Sequence, residues 1–244
     1  METEFATLEM AIAIAAVTAA GLMRGFAGFG SGMLMAPIFA ILFGPVETVT
    51  MVTLLELVVS IQLLPRVLNE AEWRFVALLS LSAAFLMPVG AYLLRSANPN
   101  LLTRIMAGIV LVFVIVLMTG WRYRGENKLV PTLGIGATSG ILMAATSMGN
   151  PPVLLYVLSG SDTAAKSRAN IIAYFAGTQG VLLIVLASMG LLSWPPVVRA
   201  GLLTPGYLLA AGIGSHLFRQ SSEALYRRST LLFLFCVATY GLLR

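Results

Sequence analysis

The sequence predicts an all-α membrane protein. It reads as an inverted repeat, each half a broken helix folded into a re-entrant hairpin plus three transmembrane helices, about eight helices in total. Three observations carry this expectation. The 244 residues are 59% hydrophobic and only 10% charged, where a soluble domain carries about 25% charged residues. The apolar residues lie in long blocks, and residues 76–94 and 105–121 contain no charge at all. Blocks of that length suit a hydrocarbon core that takes about 20 helical residues to cross. Finally, a glycine-rich or proline-rich breaker interrupts an apolar run at the same point in both halves of the chain.

The elements follow from apolar runs and the residues that end them. A first helix is expected over residues 7–29, with a break at Gly30-Ser31-Gly32. The next apolar piece, residues 33–43, is too short to span and stops at Gly44-Pro45. Spans follow at residues 47–64, 73–94 and 101–121. The polar cluster at 122–128 reads as a loop. The second half repeats the order. A helix over 129–147 breaks at Gly149-Asn150-Pro151-Pro152, and a short piece over 153–158 ends at Ser159-Gly160. Spans are then expected at 169–189, 197–218 and 225–242. The two repeats are residues 1–125 and 126–244.

Individual residues support the duplication. Gly21-Leu-Met-Arg-Gly25 matches Gly136-Ala-Thr-Ser-Gly140, and Gly28 to Ser31 lies against Ser147 to Asn150. Gly90-Ala-Tyr-Leu-Leu-Arg95 matches Gly214-Ser-His-Leu-Phe-Arg219. The three pairings keep one order along the chain, as internal repeats of transporter folds do.

The 15 basic residues test how the halves are arranged. If each broken helix and its short piece return to their starting side, Arg66, Arg74, Arg122, Arg124, Lys128, Lys166, Arg168, Arg219, Arg227 and Arg228 share one side. Arg95, Arg104, Arg199 and Arg244 take the other, and Arg24 is left within the membrane. If each broken helix crosses once, the basic residues divide evenly. The positive-inside rule favours the first arrangement. It makes the halves inverted and places both termini outside. Trp73, Trp121 and Trp194 fall at block ends, as an aromatic belt requires.

The breaks are where chemistry is expected. Backbone that leaves the helix at membrane depth needs partners from protein or from a watery cavity. A short helix starting after the break offers free N–H groups and a positive dipole end, which suit an anion. The candidate anion-binding residues are Arg24, Gly28, Gly30, Ser31, Gly32, Gln62, Ser147, Gly149, Asn150 and Gln179. Ser31 and Asn150 are read as N-caps that also donate to the anion, while Pro151 and Pro152 suit a first helical turn. Arg24 pairs either with the substrate or with Glu56 near the middle of its span, the alternative being a side chain that snorkels to the helix end. Glu56 is either half of a structural pair or a site of proton coupling, since burial raises a carboxyl group towards neutral pH. Gln62, Gln179, Asn170 and Tyr174 also suit ordinary interhelical hydrogen bonds. Gly21, Gly25, Gly136 and Gly140 read as close-packing residues, and His216 as an interfacial one.

Several functions are excluded. One histidine leaves nothing from which to build a metal cluster or a Ser-His-Asp triad, and no P-loop is present. No enzyme activity, metal or cofactor is expected. The net charge of +5 is dispersed between apolar blocks, which argues against nucleic acid. Cys236 is alone and forms no internal disulfide. The N-terminus lacks a basic n-region, so no signal peptide is expected. The expected partners are a small anion and the lipid bilayer, with self-association into a homo-oligomer left open.

At these breaks the sequence resembles the TauE/SafE sulfite exporter family. The family's GxxxGxxGxG pattern is matched by Gly21-Leu-Met-Arg-Gly-Phe-Ala-Gly-Phe-Gly-Ser-Gly32, with Pro37 beyond. Its GxGGPP-like segment corresponds to Ser147-Met-Gly-Asn-Pro-Pro152, where Ser147 and Asn150 replace glycines. The resemblance covers essentially the whole chain. It implies export or exchange of sulfite, an organosulfonate or a related sulfur oxyanion; with the repeat and the breaks, the expectation is a secondary transporter of the bacterial inner membrane that works by alternating access around the two broken-helix sites. A channel-like anion permease, or uptake rather than export, is the alternative.

Overall fold

A computed structural model describes residues 2–119, 129–157 and 162–220. All the described secondary structure is helical, in the order α1 Glu2–Ala27, α2 Ser31–Phe43, α3 Pro45–Leu63, α4 Trp73–Ser96, α5 Pro99–Met118, α6 Leu129–Thr146, α7 Asn150–Val157, α8 Ala164–Ser188 and α9 Trp194–Gln220. The 3-10 turn Leu64–Arg66 ends α3. Six of these helices carry stretches long and apolar enough to cross a membrane: Leu8–Ala27, Pro45–Arg66, Trp73–Ser96, Leu129–Thr146, Ala165–Ser188 and Trp194–Phe218. The protein is a multi-pass, all-α membrane protein. The helix expected at 225–242, the loop at 122–128, the end of the short piece at Ser159-Gly160 and the basic residues Arg227, Arg228 and Arg244 lie outside the described residues.

Most expected boundaries fall within a few residues of the observed ones, but the first break does not lie at Gly30-Ser31-Gly32. It is Gly28-Phe29-Gly30, and Ser31 and Gly32 already belong to α2. The chain turns because Gly28 and Gly30 adopt φ of 83° and 90°, a left-handed region open to glycine at little cost. The second break is likewise displaced from the expected Gly149-Asn150-Pro151-Pro152: it is Ser147-Met148-Gly149, again three residues between helix ends, and Asn150 already belongs to α7. Pro151 and Pro152 follow in the first turn of α7, where a missing N–H matters least.

Side-chain and backbone contacts fix the direction of each helix. Along α1, Gly21 abuts Tyr207 and Ala210 of α9, and Gly25 abuts Ala211 and Ser215, so the two helices run parallel. Glu47 meets Arg199, Glu56 meets Tyr207 and Arg66 meets Ser215, so α3 is parallel to α9 as well. Ser31 opens α2 at the level of Glu56, and Gly44 joins its far end to the start of α3. Helix α2 therefore runs back along α1, and α1 with α2 forms a hairpin that returns to its starting side.

The opposite set is α4, α6 and α8. Gly136 abuts Leu79, Gly140 abuts Ala83, and Gly90 abuts Ile141 and Ala144, which makes α6 parallel to α4. Arg95 of α4 reaches Met189 beyond the end of α8, and Ser80 faces Gly177, so α8 shares their direction. Glu72 and Asn170, and Thr50 and Leu191, place α8 antiparallel to α3. Helix α7 runs back along α6, because Gly149 lies against Ser139 while Tyr156 bonds Thr132 at 2.8 Å.

Small residues let these pairs approach. A Cβ on Gly21 would lie 2.7 Å from the Tyr207 carbonyl oxygen, and one on Gly214 would lie 2.9 Å from the Phe26 nitrogen. In a membrane, where apolar burial gives helices little reason to associate, such close backbone contact supplies the dispersion and polar energy instead. The most extensive helix contacts are α1 with α9 and α4 with α6. Each broken helix thus packs on the fourth helix of the other half. Trp73 and Trp194 open α4 and α9 and are well exposed, one at each end of the bundle.

Candidate functional site

The first break is held by Arg24. Its side chain is fully buried, so it does not snorkel to the helix end. It donates to the carbonyl of Gly28 inside the break and, at 3.0 Å, to Ser60 Oγ on α3. Its Nε lies 3.2 Å from Glu56 Oε2. That is ion-pair distance, but the N–H is not aligned for a hydrogen bond. The guanidinium carbon stands 4.6 Å from the centre of the Phe175 ring on α8, a cation–π geometry. A charge so far from water is retained only where it is paired and hydrogen-bonded.

Glu56 supplies the pairing. It sits halfway along the span Pro45–Arg66 and is 3% exposed. Its Oε1 accepts from Ser31 Oγ at the start of α2 and from Tyr207 Oη on α9, the latter at 3.0 Å. Three helices thus converge on one carboxylate through Arg24, Ser31 and Tyr207. Ser31 is the first helical residue of α2 and Gly30 occupies the cap position, with no side-chain cap. The expectation that Ser31 caps its helix is therefore corrected, since its hydroxyl is directed to Glu56 instead.

The second break is held by neutral groups. Ser139 on α6 donates to the carbonyl of Gly149, and Tyr174 Oη donates to Ser139 Oγ at 2.8 Å. Ser147 takes φ of 60°, the only described non-glycine residue in the left-handed region. It stands where the first break has Gly28. Its hydroxyl is buried and has no hydrogen-bond partner. Asn150, also expected as a cap, is instead the first residue of α7 after Gly149, and its side chain lies outside the described residues.

The two breaks meet. A Cβ on Gly32 would lie 2.7 Å from the carbonyl oxygen of Ser147, so only glycine lets α2 pass the second break this closely. Gly30 packs against Met23 and Gly28 against Arg168. Of the residues expected to bind an anion, the structure gathers Arg24, Gly28, Gly30, Ser31, Gly32, Ser147 and Gly149 here, with Glu56 beside them. Gln62 is not among them. It is half-buried and donates to the Leu208 carbonyl of α9 at 3.3 Å, an interhelical bond. Gln179 is 3% exposed, and its Oε1 has no hydrogen-bond partner. Asn170 accepts from the Glu72 amide at 2.7 Å, which ties α8 to the turn before α4.

Arg168 was expected on the basic membrane surface. It is instead 6% exposed, donates to the Gly25 carbonyl at 2.7 Å and to Ser215 at 3.3 Å, and stands over the Phe218 ring. Two cations, Arg24 and Arg168, therefore serve carbonyls at the C-terminal end of α1, the negative end of its dipole. Ser60, Ser139, Tyr207 and Arg168 are the contacts sequence reasoning missed. Only Ser139 carried a signal, because it aligns with Arg24 when the two glycine-rich segments are matched in sequence. The others depend on which helices become neighbours.

A family model described as sulfite exporter TauE/SafE matches residues 13–241. No match was found among curated proteins or solved structures.

Proposed function

The chain belongs to the sulfite exporter TauE/SafE family, and from that premise we propose a secondary transporter that exports sulfite, an organosulfonate or a related sulfur oxyanion. The observation that carries the reading is the meeting of the two breaks at Gly32 and Ser147, level with the buried Arg24. The first-turn N–H groups of α2 and α7 have no partners within their own helices, and an oxyanion is the ligand that such donors favour. Arg24, Ser31 and Ser147 add side-chain donors beside them, and Asn150 and Gln179 are the further donors expected from the sequence.

The halves, residues 1–125 and 126–244, would be an inverted repeat. Parallel α1, α3 and α9 against oppositely directed α4, α6 and α8 support this, because corresponding helices of the two halves then point in opposite directions. Rocking of the interlocked pairs about the breaks would expose the anion to one side and then the other. Glycine contacts between parallel helices suit such sliding, having no long side chains to disentangle.

Two measurements test the reading. Sulfite and methanesulfonate should stabilise the detergent-solubilised protein against heat, and Ser31→Leu with Asn150→Leu should abolish that shift. An unchanged shift would place the anion elsewhere. In proteoliposomes, flux should saturate and accelerate with substrate on the trans side. A linear flux without trans acceleration would indicate a pore.

A further inference from the structure

The carboxylate of Glu56 occupies the place that an incoming oxyanion requires. It holds Ser31 Oγ, Tyr207 Oη and Arg24 at once, and Ser31 begins the helix whose free first-turn amides suit an anion. We infer that Glu56 is a tethered stand-in for the transported anion, filling the Arg24, Ser31 and Tyr207 donors in its absence and leaving them as a neutral carboxyl group when the anion binds. This rests on the transport reading above and adds to it a second substrate, the proton.

The exclusion is electrostatic. Two anions sharing one guanidinium in an interior with little water repel strongly, and the usual relief is that one carboxylate takes up a proton. The step balances simply. Glu56 gains one proton from water and forms one O–H bond, while Arg24, Ser31 and Tyr207 exchange the carboxylate for a sulfonate or sulfite oxygen. The charged and titratable described groups near Glu56 are Arg24 from α1, Tyr207 from α9 and, beyond Gly28, Arg168 from α8; α2 contributes only the Ser31 hydroxyl. Arg24 is already off the hydrogen-bond line to Glu56 while bonded to Ser60 and Gly28. Its position therefore does not depend on the carboxylate staying.

The other half marks the difference. There the break is held without charge by Ser139, which aligns with Arg24, and by Tyr174 on α8, which donates to it. No carboxylate takes part in those contacts, and the adjacent Ser147 hydroxyl is unpartnered. Proton uptake is thus assigned to one half of a duplicated site.

Calorimetry on the purified full chain tests this with methanesulfonate, whose charge is fixed across the working pH range. In paired buffers of different ionisation enthalpy, wild-type protein should take up about one proton per anion bound. Affinity should fall with rising pH, about tenfold per unit where one proton is taken up per anion, because binding then requires a proton from solution. Glu56→Gln should bind with no proton uptake and no pH slope. Zero uptake by the wild type, or an unchanged slope in the variant, would overturn the proposal while leaving the transport reading intact. If Glu56→Gln fails to fold, the paired-buffer measurement on wild type decides alone. Absence of binding by methanesulfonate, sulfite and sulfate to folded wild type at every pH would overturn the transport reading and this proposal with it.

Discussion

Ser147 shows what a single backbone angle costs. A left-handed residue with a Cβ is strained by about 1 kcal/mol or more, and the first half avoids this by placing Gly28 at the matching point. The strain persists beside a buried hydroxyl with no partner, a combination expected of a group that waits for a ligand. Ser147→Gly should therefore raise the thermal stability of the empty protein, by about 1 kcal/mol, yet weaken anion binding. Opposite signs in a thermal melt and a binding titration would check it. Residue-level legibility divides in the same way. Arg24 and Glu56 stood out because a charge in an apolar run is rare, and they do find each other. Tyr207 and Ser60 could not stand out, because a hydroxyl in a membrane helix is common and its partner is set by packing.

Among elements, the breaks and the short helices after them were legible from glycine, proline and length. The first break was misplaced by two residues, since Gly28-Phe-Gly-Ser-Gly32 contains three glycines and only packing decides which of them turn. The partners of the GxxxG faces were not legible. Gly25 packs on the Ala211 backbone, and Gly140 on that of Ala83. Gly25→Val and Gly140→Val should each push a helix pair apart and cost about 1–3 kcal/mol. Gly201 on α9 is exposed, with nothing near its missing Cβ. Gly201→Ala should leave stability unchanged or raise it by up to about 1 kcal/mol. Thermal unfolding of the three variants in one detergent ranks them.

For the whole molecule, hydropathy and charge gave the fold class and the expectation of a hairpin that returns to its starting side. The structure adds directions that accord with it. The turn between α3 and α4, carrying Arg66 and Glu70 and followed by Arg74 at the start of α4, lies at the end of the bundle opposite the turn between α4 and α5. With the basic end inside, a cysteine at Asn100 should react with an impermeant maleimide on intact cells, and one at Glu70 only after lysis, both in a Cys236→Ser background. The reverse pattern would invert the orientation drawn from the basic residues.

The cross-packing of the halves also bears on biosynthesis. Helix α1 leaves the ribosome long before α9, which makes the groove that receives Gly21 and Gly25. During most of synthesis α1 must wait in lipid or beside the insertion machinery with its small-residue face uncovered. Glu56 arrives earlier and can neutralise Arg24 meanwhile, which makes the ion pair useful to the nascent chain before it has any role in transport. A chain truncated before α9 would leave the α1 face permanently bare. Such a chain is one that membrane quality control should recognise and degrade.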